Sequence, residues 1–352
     1  MNHIFYMDQA LTEAVRDQPE TWRNPMVGAV IVKDNHILSK GHHEVFGGPH
    51  AEVNAINHLP DNVNVEGATM YVTLEPCAHT GKTPPCVQMI VKAGIKRVVV
   101  GEIDPNPLVA GKGVAYLKSH GIKVVVLNTL LDANNAYRFY FKHHRPFVTL
   151  KYAMTVDGRL NFSTTKRSIL TGNQAFLDNQ RRRQNNQAIL VGANTVAIDN
   201  PQLTIRKSSS GFPFIRLVVI HDANQIDFDA QLFKEVTNKT PAWILANKNK
   251  VGMVPDNVKV IIKPVWTATK ICEYLSSVGI QSLLVEGGSQ IFNQFVAENQ
   301  FEQIITYVAP QLFGEHALPV LTGKELGSPT SLTMVSVNKL GNDVKLVFER
   351  SN

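Results

Sequence analysis

Four residues of this chain have the types and spacing to run a hydrolysis at a metal ion. They are His50 and Glu52 in Pro49-His50-Ala51-Glu52, Cys77 after Pro76, and Cys86 after Pro84-Pro85. One imidazole and two thiolates hold zinc through three protein ligands and leave a fourth position open, as a catalytic zinc requires and a structural zinc does not. Zinc held there lowers the pKa of a bound water toward neutrality. Glu52, two residues from the histidine, is placed to take that water's proton and deliver it to a leaving amine. Taken singly, a His-x-Glu is common and a buried cysteine is often only a small apolar residue. Here two of only three cysteines follow proline, both downstream of the histidine, which favours the metal.

The elements that must position these residues alternate between helix and strand. Apolar spacing predicts a helix over 4–18, with Ile4, Met7, Leu11, Ala14 and Val15 on one face. Strands over 27–33 and 37–39 form a hairpin around Asp34-Asn35. A helix over 50–58 opens at Pro49, and a strand covers 69–74. A second helix, 86–93, starts after two prolines and ends at Gly94. Strands at 96–100 and 123–127 flank a helix near 112–119. His50 and Cys86 thus fall at helix starts, whose partial positive charge favours a thiolate, and Cys77 ends a strand-to-loop passage. The pattern is a three-layer α/β domain.

The polar segment Lys142-His143-His144-Arg145-Pro146 marks a junction, giving domains 1–144 and 145–352. A second α/β series begins at 147–151. Further strands are expected at 187–191, 215–220, 242–246, 258–262, 282–285, 303–308 and 343–348, and helices at 173–184, 269–278 and 289–298. Ser208-Ser209-Ser210-Gly211 reads as an exposed loop. A length of 352 residues suits two cores. No apolar run approaches the ~20 residues of a membrane span, and no secretory signal is visible, so a cytoplasmic protein is expected. Three cysteines argue against a disulfide framework. The net charge of +6 is either an ordinary solvated surface or an attraction for small anions, and the absence of long basic blocks disfavours nucleic acid.

The His/Cys/Cys/Glu constellation is the signature of zinc-dependent deaminases of amino-substituted heterocycles, whose widespread form ends in Pro-Cys-x-x-Cys. In this chain eight residues separate the cysteines. That longer loop, Pro76-Cys77-Ala78-His79-Thr80-Gly81-Lys82-Thr83-Pro84-Pro85-Cys86, resembles the deaminase domain of the bifunctional riboflavin-biosynthesis deaminase/reductase family. Asn24 to Val32, Gly48 to Val53 and Asp104 to Gly113 carry the same resemblance. It implies a cytidine-deaminase-like α/β/α fold, one zinc on His50, Cys77 and Cys86, and Glu52 as the proton carrier. It also implies a diaminopyrimidinone ribosylamino phosphate as substrate, with Asn24, His43 and His79 nearby. On the residues alone, His42, His43 and His79 equally suit a solvated loop.

In the second half, Glu286-Gly287-Gly288-Ser289 follows a strand and opens a helix, as a phosphate-binding turn does and as many plain turns do. Lys151 and Asp199 are either core-edge ions or catalytic groups. Arg183 and Arg206 either fork onto a phosphate or decorate the surface. Lys151 to Arg159, Thr195 to Arg206 and Glu286-Gly287-Gly288 resemble the reductase domain of the same family. That resemblance implies a dihydrofolate-reductase-like α/β fold using NADPH to reduce a ribosyl to a ribityl group. Cofactor contacts are implied at Ala153, Ile169, Thr195, Asp199 and Gly288, and substrate contacts at Lys151, Arg167, Arg183, Leu203, Arg206 and Glu286. Ile169-Leu170-Thr171 stands where the family usually shows Trp-Ile-Thr. Expected partners are phosphorylated pyrimidines and further copies of the chain, with neither nucleic acid nor membrane. Two other readings compete: a base editor of transfer RNA with an accessory domain, and a second half reduced to a nucleotide-binding module without activity.

Overall fold

The computed structural model describes residues 2–16, 21–79, 84–206, 214–249 and 252–351. Chain contacts divide it into two compact units, Met1–His144 and Arg145–Asn352.

The first unit comprises α1 (His3–Ala14), β1 (Gly28–Lys33), β2 (His36–His42), α2 (Ala51–Asn57), β3 (Thr69–Leu74), α3 (Cys86–Lys92), β4 (Arg97–Glu102), α4 (Lys112–Ser119), β5 (Lys123–Val126) and α5 (Asn135–His143). Its five-stranded sheet runs β2-β1-β3-β4-β5, antiparallel across the first three strands and parallel across the last three. The β1–β2 turn places Asp34 and Asn35 at φ 49° and 61°, the left-handed pair that a tight hairpin needs. The two-residue alternation of each strand separates the layers. Ile31, Met70, Val72, Val98 and Val100 face Ala51, Ala55, Val87, Ile90 and Leu117 of α2, α3 and α4. Val30, Val32, Tyr71 and Val99 face Tyr6, Met7 and Ala10 of α1. The unit is the three-layer α/β/α sandwich expected.

The second unit comprises β6 (Phe147–Thr155), β7 (Arg159–Asn161), α6 (Asn173–Gln184), β8 (Ala188–Gly192), α7 (Ala193–Asp199), β9 (Ile215–Asp222), α8 (Gln231–Lys234), β10 (Ala242–Lys248) and β11 (Val258–Ile262). It continues with α9 (Ala268–Ser277), β12 (Ser282–Gly287), α10 (Ser289–Ala297), β13 (Gln303–Ala309), β14 (Leu318–Pro319), β15 (Leu332–Leu340) and β16 (Asp343–Arg350). A nine-stranded sheet runs β11-β10-β9-β8-β12-β6-β13-β16-β15. It is parallel from β11 to β13 and ends in the antiparallel hairpin β15–β16. From β8 the chain winds outward through β9 to β11, then returns to β12 on β8's other side. Neighbouring strand ends that lead the chain in opposite directions leave a crevice for a ligand.

Sequence reasoning missed α5, α7, α8, β7, β14 and β15. The helix expected over 4–18 ends at Ala14 with Val15 as its C-cap, and 17–18 lie outside the described residues. So do the loop expected at Ser208–Gly211 and the four residues Thr80–Thr83 between the two cysteines.

Candidate functional site

In the first unit, His50 and Cys77 line a small cavity of about 230 Å3, and Cys86 lies beside them. His50 is the N-cap of α2, Cys86 is the first residue of α3, and Cys77 follows β3. Their ligand atoms all lie within 4.8 Å of one another. His50 Nδ1 is 3.6 Å from Cys77 Sγ and 3.2 Å from Cys86 Sγ. Tetrahedral zinc, with Zn–S of about 2.3 Å and Zn–N of about 2.0–2.1 Å, separates such atoms by about 3.6 Å, so the donor set fits the ion. Cys86 N–H donates to Cys77 Sγ at 3.4 Å, the helix-start amide favouring charge on that sulfur. A hydrogen bond from Cys86 and the nearby His50 imidazole hold the Cys77 thiol down at about 4. The second sulfur is pushed the other way, because its neighbour already carries the charge.

Glu52 faces the same cavity and is 3% exposed. Burial pushes its carboxyl up to about 7, against the pull of His50, which is the range of a group that both takes and gives a proton near neutrality. Asn24, His43 and His79 also line the cavity. His43 is buried rather than solvated. Its Nδ1 meets the Pro49 carbonyl at 2.9 Å and its Nε2 meets Asn24 Nδ2 at 3.1 Å. A carbonyl only accepts, so Nδ1 donates to Pro49 and Nε2 accepts from Asn24. His42 is buried as well, 3.2 Å from Glu13. His79 alone of the three is exposed.

The cavity contains residues that sequence reasoning did not single out. Glu75, Asp104 and Tyr137 line it. Buried Glu75 accepts from the amides of Asp104, Gly111 and Val114 at 3.3, 2.8 and 3.0 Å, tying down the loop ahead of α4. Asp104 accepts from Tyr137 O–H at 3.0 Å, and burial raises its carboxyl to about 6. The only sequence signal was the Asp104–Gly113 motif; Tyr137 sits on the unforeseen α5.

The second unit holds a larger cavity of about 1150 Å3 at the crevice between β8 and β12. Every residue singled out in this half lines it: Lys151, Ala153, Arg167, Ile169, Arg183, Thr195, Asp199, Leu203, Arg206, Glu286 and Gly288. The starts of α7 and α10 face each other there. A β-carbon at Gly288 would lie 3.3 Å from Thr195 Oγ1, and one at Gly192 would lie 3.1 Å from Ile291 Cγ1. Gly287 has φ +134°, which demands glycine. This close approach, possible only without side chains, leaves bare backbone at the crevice, which suits a dinucleotide's phosphates.

The same cavity holds a charged group. Arg183 donates from Nε and Nη2 to the two Glu286 oxygens, each at 2.8 Å, and from Nη1 to Thr204 O at 3.1 Å. Its fork is therefore committed to Glu286, not free for a phosphate. Burial would raise the Glu286 carboxyl, but the Arg183 and Lys151 charges outweigh it and hold it at about 2. Lys151 Nζ is 4.0 Å from Glu286 Oε2, and burial lowers its pKa. Burial raises Asp199, with Arg167 opposing. Arg167 and Arg206 are exposed at the rim, Arg206 stacked 5.2 Å over Phe176. Ile169 is 80% exposed, an aliphatic wall in place of the tryptophan usual at this position of the motif.

The fold and the first cavity define a zinc-binding deaminase unit joined to a second α/β unit with a nucleotide-sized crevice. Residues 1–102 match the cytidine and deoxycytidylate deaminase zinc-binding region, and residues 146–346 match the RibD C-terminal domain. The riboflavin biosynthesis protein RibD of Aquifex aeolicus is 34% identical over 352 residues, covering 98% of each chain. That of Bacillus amyloliquefaciens is 35% identical over 356 residues, covering 97% of this chain and 95% of its own. The chain belongs to the RibD family of riboflavin biosynthesis proteins. Among solved structures, Acinetobacter baumannii RibD aligns with a TM-score of 0.88 at 31% identity, covering 99% of both chains. A Thermotoga maritima diaminohydroxyphosphoribosylaminopyrimidine deaminase/5-amino-6-(5-phosphoribosylamino)uracil reductase aligns at 0.86 and 31%, with the same coverage. Among the described residues, no helix is long and apolar enough to cross a membrane.

Proposed function

We propose that the chain catalyses two steps of riboflavin biosynthesis, with residues 1–144 as deaminase and 145–352 as reductase. The first unit removes an amino group from diaminohydroxyphosphoribosylaminopyrimidine by hydrolysis. The second reduces the ribosyl group of the resulting 5-amino-6-(5-phosphoribosylamino)uracil with NADPH. The observation that carries the first step is the convergence of His50, Cys77 and Cys86 beside buried Glu52. Zinc held by these three ligands would supply Lewis acidity and an activated water. Glu52 would take a proton from that water and return it to the leaving amine, a role suited by its raised pKa. Asn24, braced by His43, and His79 bind the pyrimidine and its phosphorylated sugar.

In the second unit, Gly288, Thr195, Ala153, Ile169 and Asp199 receive NADPH, the amides at the α10 start holding its phosphates. Lys151, Glu286, Leu203, Arg167 and Arg206 bind the uracil phosphate. Arg183 acts through Glu286, fixing its carboxylate. The exposed rim arginines supply the cations that a sugar phosphate needs. The net charge of +6 helps gather such anions. The enzyme is cytoplasmic and self-associates. Edge strand β15, with Leu332, Met334, Val335 and Val337 each 38–57% exposed, offers an apolar edge for a second copy.

The test is to incubate the protein with the pyrimidine phosphate, with and without NADPH, and identify products by mass. Deaminated product alone is expected without NADPH, and the ribityl product with it. Glu52→Gln should keep one zinc per chain while losing about 100-fold or more of ammonia release. Substantial residual deamination removes Glu52 from its role.

A further inference from the structure

Behind the reductase cavity lies a charged network that the assigned roles leave unused. Tyr307 on β13 is 1% exposed, and its ring forms part of the cavity wall. Its O–H donates to Asp178 Oδ2 at 2.7 Å. Lys345, 5% exposed on β16, reaches the same oxygen at 2.7 Å. Tyr307 and Lys345 are direct cross-strand partners, so both approach Asp178 of α6 from the sheet. Arg182 adds a second cation, 3.7 Å from Asp178 Oδ1. With its hydroxyl tied down on one side, Tyr307 offers its face on the other. There Lys151 Nζ sits 5.5 Å from the ring centroid.

Lys151 needs such a support. It is largely buried, and the nearest carboxylate oxygen is 4.0 Å away, on a Glu286 already gripped by Arg183. The groups facing it come from four directions. Glu286 on β12 attracts, Arg183 on α6 and Arg167 ahead of α6 repel, and Tyr307 on β13 presents a π-face. An aromatic face stabilises an ammonium without consuming its three N–H donors. Those donors therefore stay aimed at whatever enters the cavity.

We propose that Tyr307, braced by Asp178 and Lys345, is a positioning residue that fixes the Lys151 ammonium for the reductase substrate. The inference rests on the reading of this cavity as the reductase site. Asp178, having no contact with the cavity, acts only through Tyr307.

The test uses the intact chain with Tyr307→Leu, Tyr307→Phe, Asp178→Asn and Lys151→Met. Steady-state reductase constants are read across pH, and NADPH affinity is read by fluorescence titration. Tyr307→Leu should lower kcat/KM for the uracil phosphate about tenfold, the range of a desolvated cation–π contact, with NADPH affinity within about twofold of the parent. Losing the π-face disfavours the charged amine, so the basic limb of the pH profile should move down by about half a unit to one unit. Tyr307→Phe, which keeps the face, should restore activity to within about threefold, and Asp178→Asn should fall between the two. Wild-type constants and an unmoved limb in Tyr307→Leu overturn the proposal. So does equal damage in Leu and Phe variants together with lost NADPH affinity, since that marks a purely structural role. Full reductase activity in Lys151→Met overturns the underlying site reading instead.

Discussion

Replacing Glu75 by glutamine removes one charge and one acceptor oxygen from a buried side chain that touches no metal ligand atom. In the parent, Glu75 Oε1 accepts from Val114 N–H at 3.0 Å, and Oε2 accepts from Gly111 and Asp104 N–H at 2.8 and 3.3 Å. A glutamine has a single acceptor oxygen, so whichever way the amide turns, at least one of these N–H groups meets an NH2. A buried donor left without an acceptor costs about 1–3 kcal/mol, and the bonds that survive lose charge assistance worth about 1 kcal/mol. Glu75 is 4% exposed, so water does not step in, and a loss of about 3 kcal/mol is expected. For a unit of this size that is a fall of about 10 °C in its melting temperature. The freed loop carries Asp104, Asn106 and Val109 of the cavity wall, and a displacement near 1 Å costs about tenfold or more in kcat/KM. The assay pairs differential scanning calorimetry of the zinc-loaded chain with ammonia release, while zinc content should stay unchanged. A melting shift below about 3 °C with unaltered deaminase constants would exclude this role for Glu75.

The second unit should show acid sensitivity traceable to Glu286. Its carboxyl is depressed from 4.5 to about 2, so its stabilisation is complete above about 4.5 and is lost as pH falls toward 2. That amounts to about 3 kcal/mol; Glu286→Gln should lower stability at neutral pH and flatten this dependence in urea titrations, and a parallel curve would contradict it. At Gly113 a β-carbon would lie 1.9 Å from the Pro76 carbonyl oxygen. Gly113→Ala should therefore push α4 from the Cys77 loop, costing about 1–3 kcal/mol and weakening zinc retention, read by melting and metal analysis. Chelation should stop ammonia release and lower the first unit's melting temperature, while NADPH oxidation with the deaminated substrate continues.

Much of the fold was legible because alternation and apolar spacing report burial directly. Val30 and Ile31 point into opposite layers, as period two requires. The elements that escaped were those held by partners rather than by pattern. Helix α5 is short and aromatic, and Tyr137 anchors it through Asp104, 33 positions away. Strand β15 is almost wholly exposed and owes its state to pairing with β16.

The chain's residue order alone marked His50, Cys77 and Cys86 as a candidate donor set with Glu52 beside it, because coordination demands particular side chains at short, recognisable spacings. The family resemblance of its motifs named the residues that gather at the second cavity. Only the tertiary structure decided how those residues are engaged. Arg183 spends its fork on Glu286, 103 positions away; Glu75 holds a loop up to 39 positions on; Tyr307 leans on Asp178 across 129. Such pairings are set by strand order and helix packing, and no local spacing encodes which buried charge will meet which.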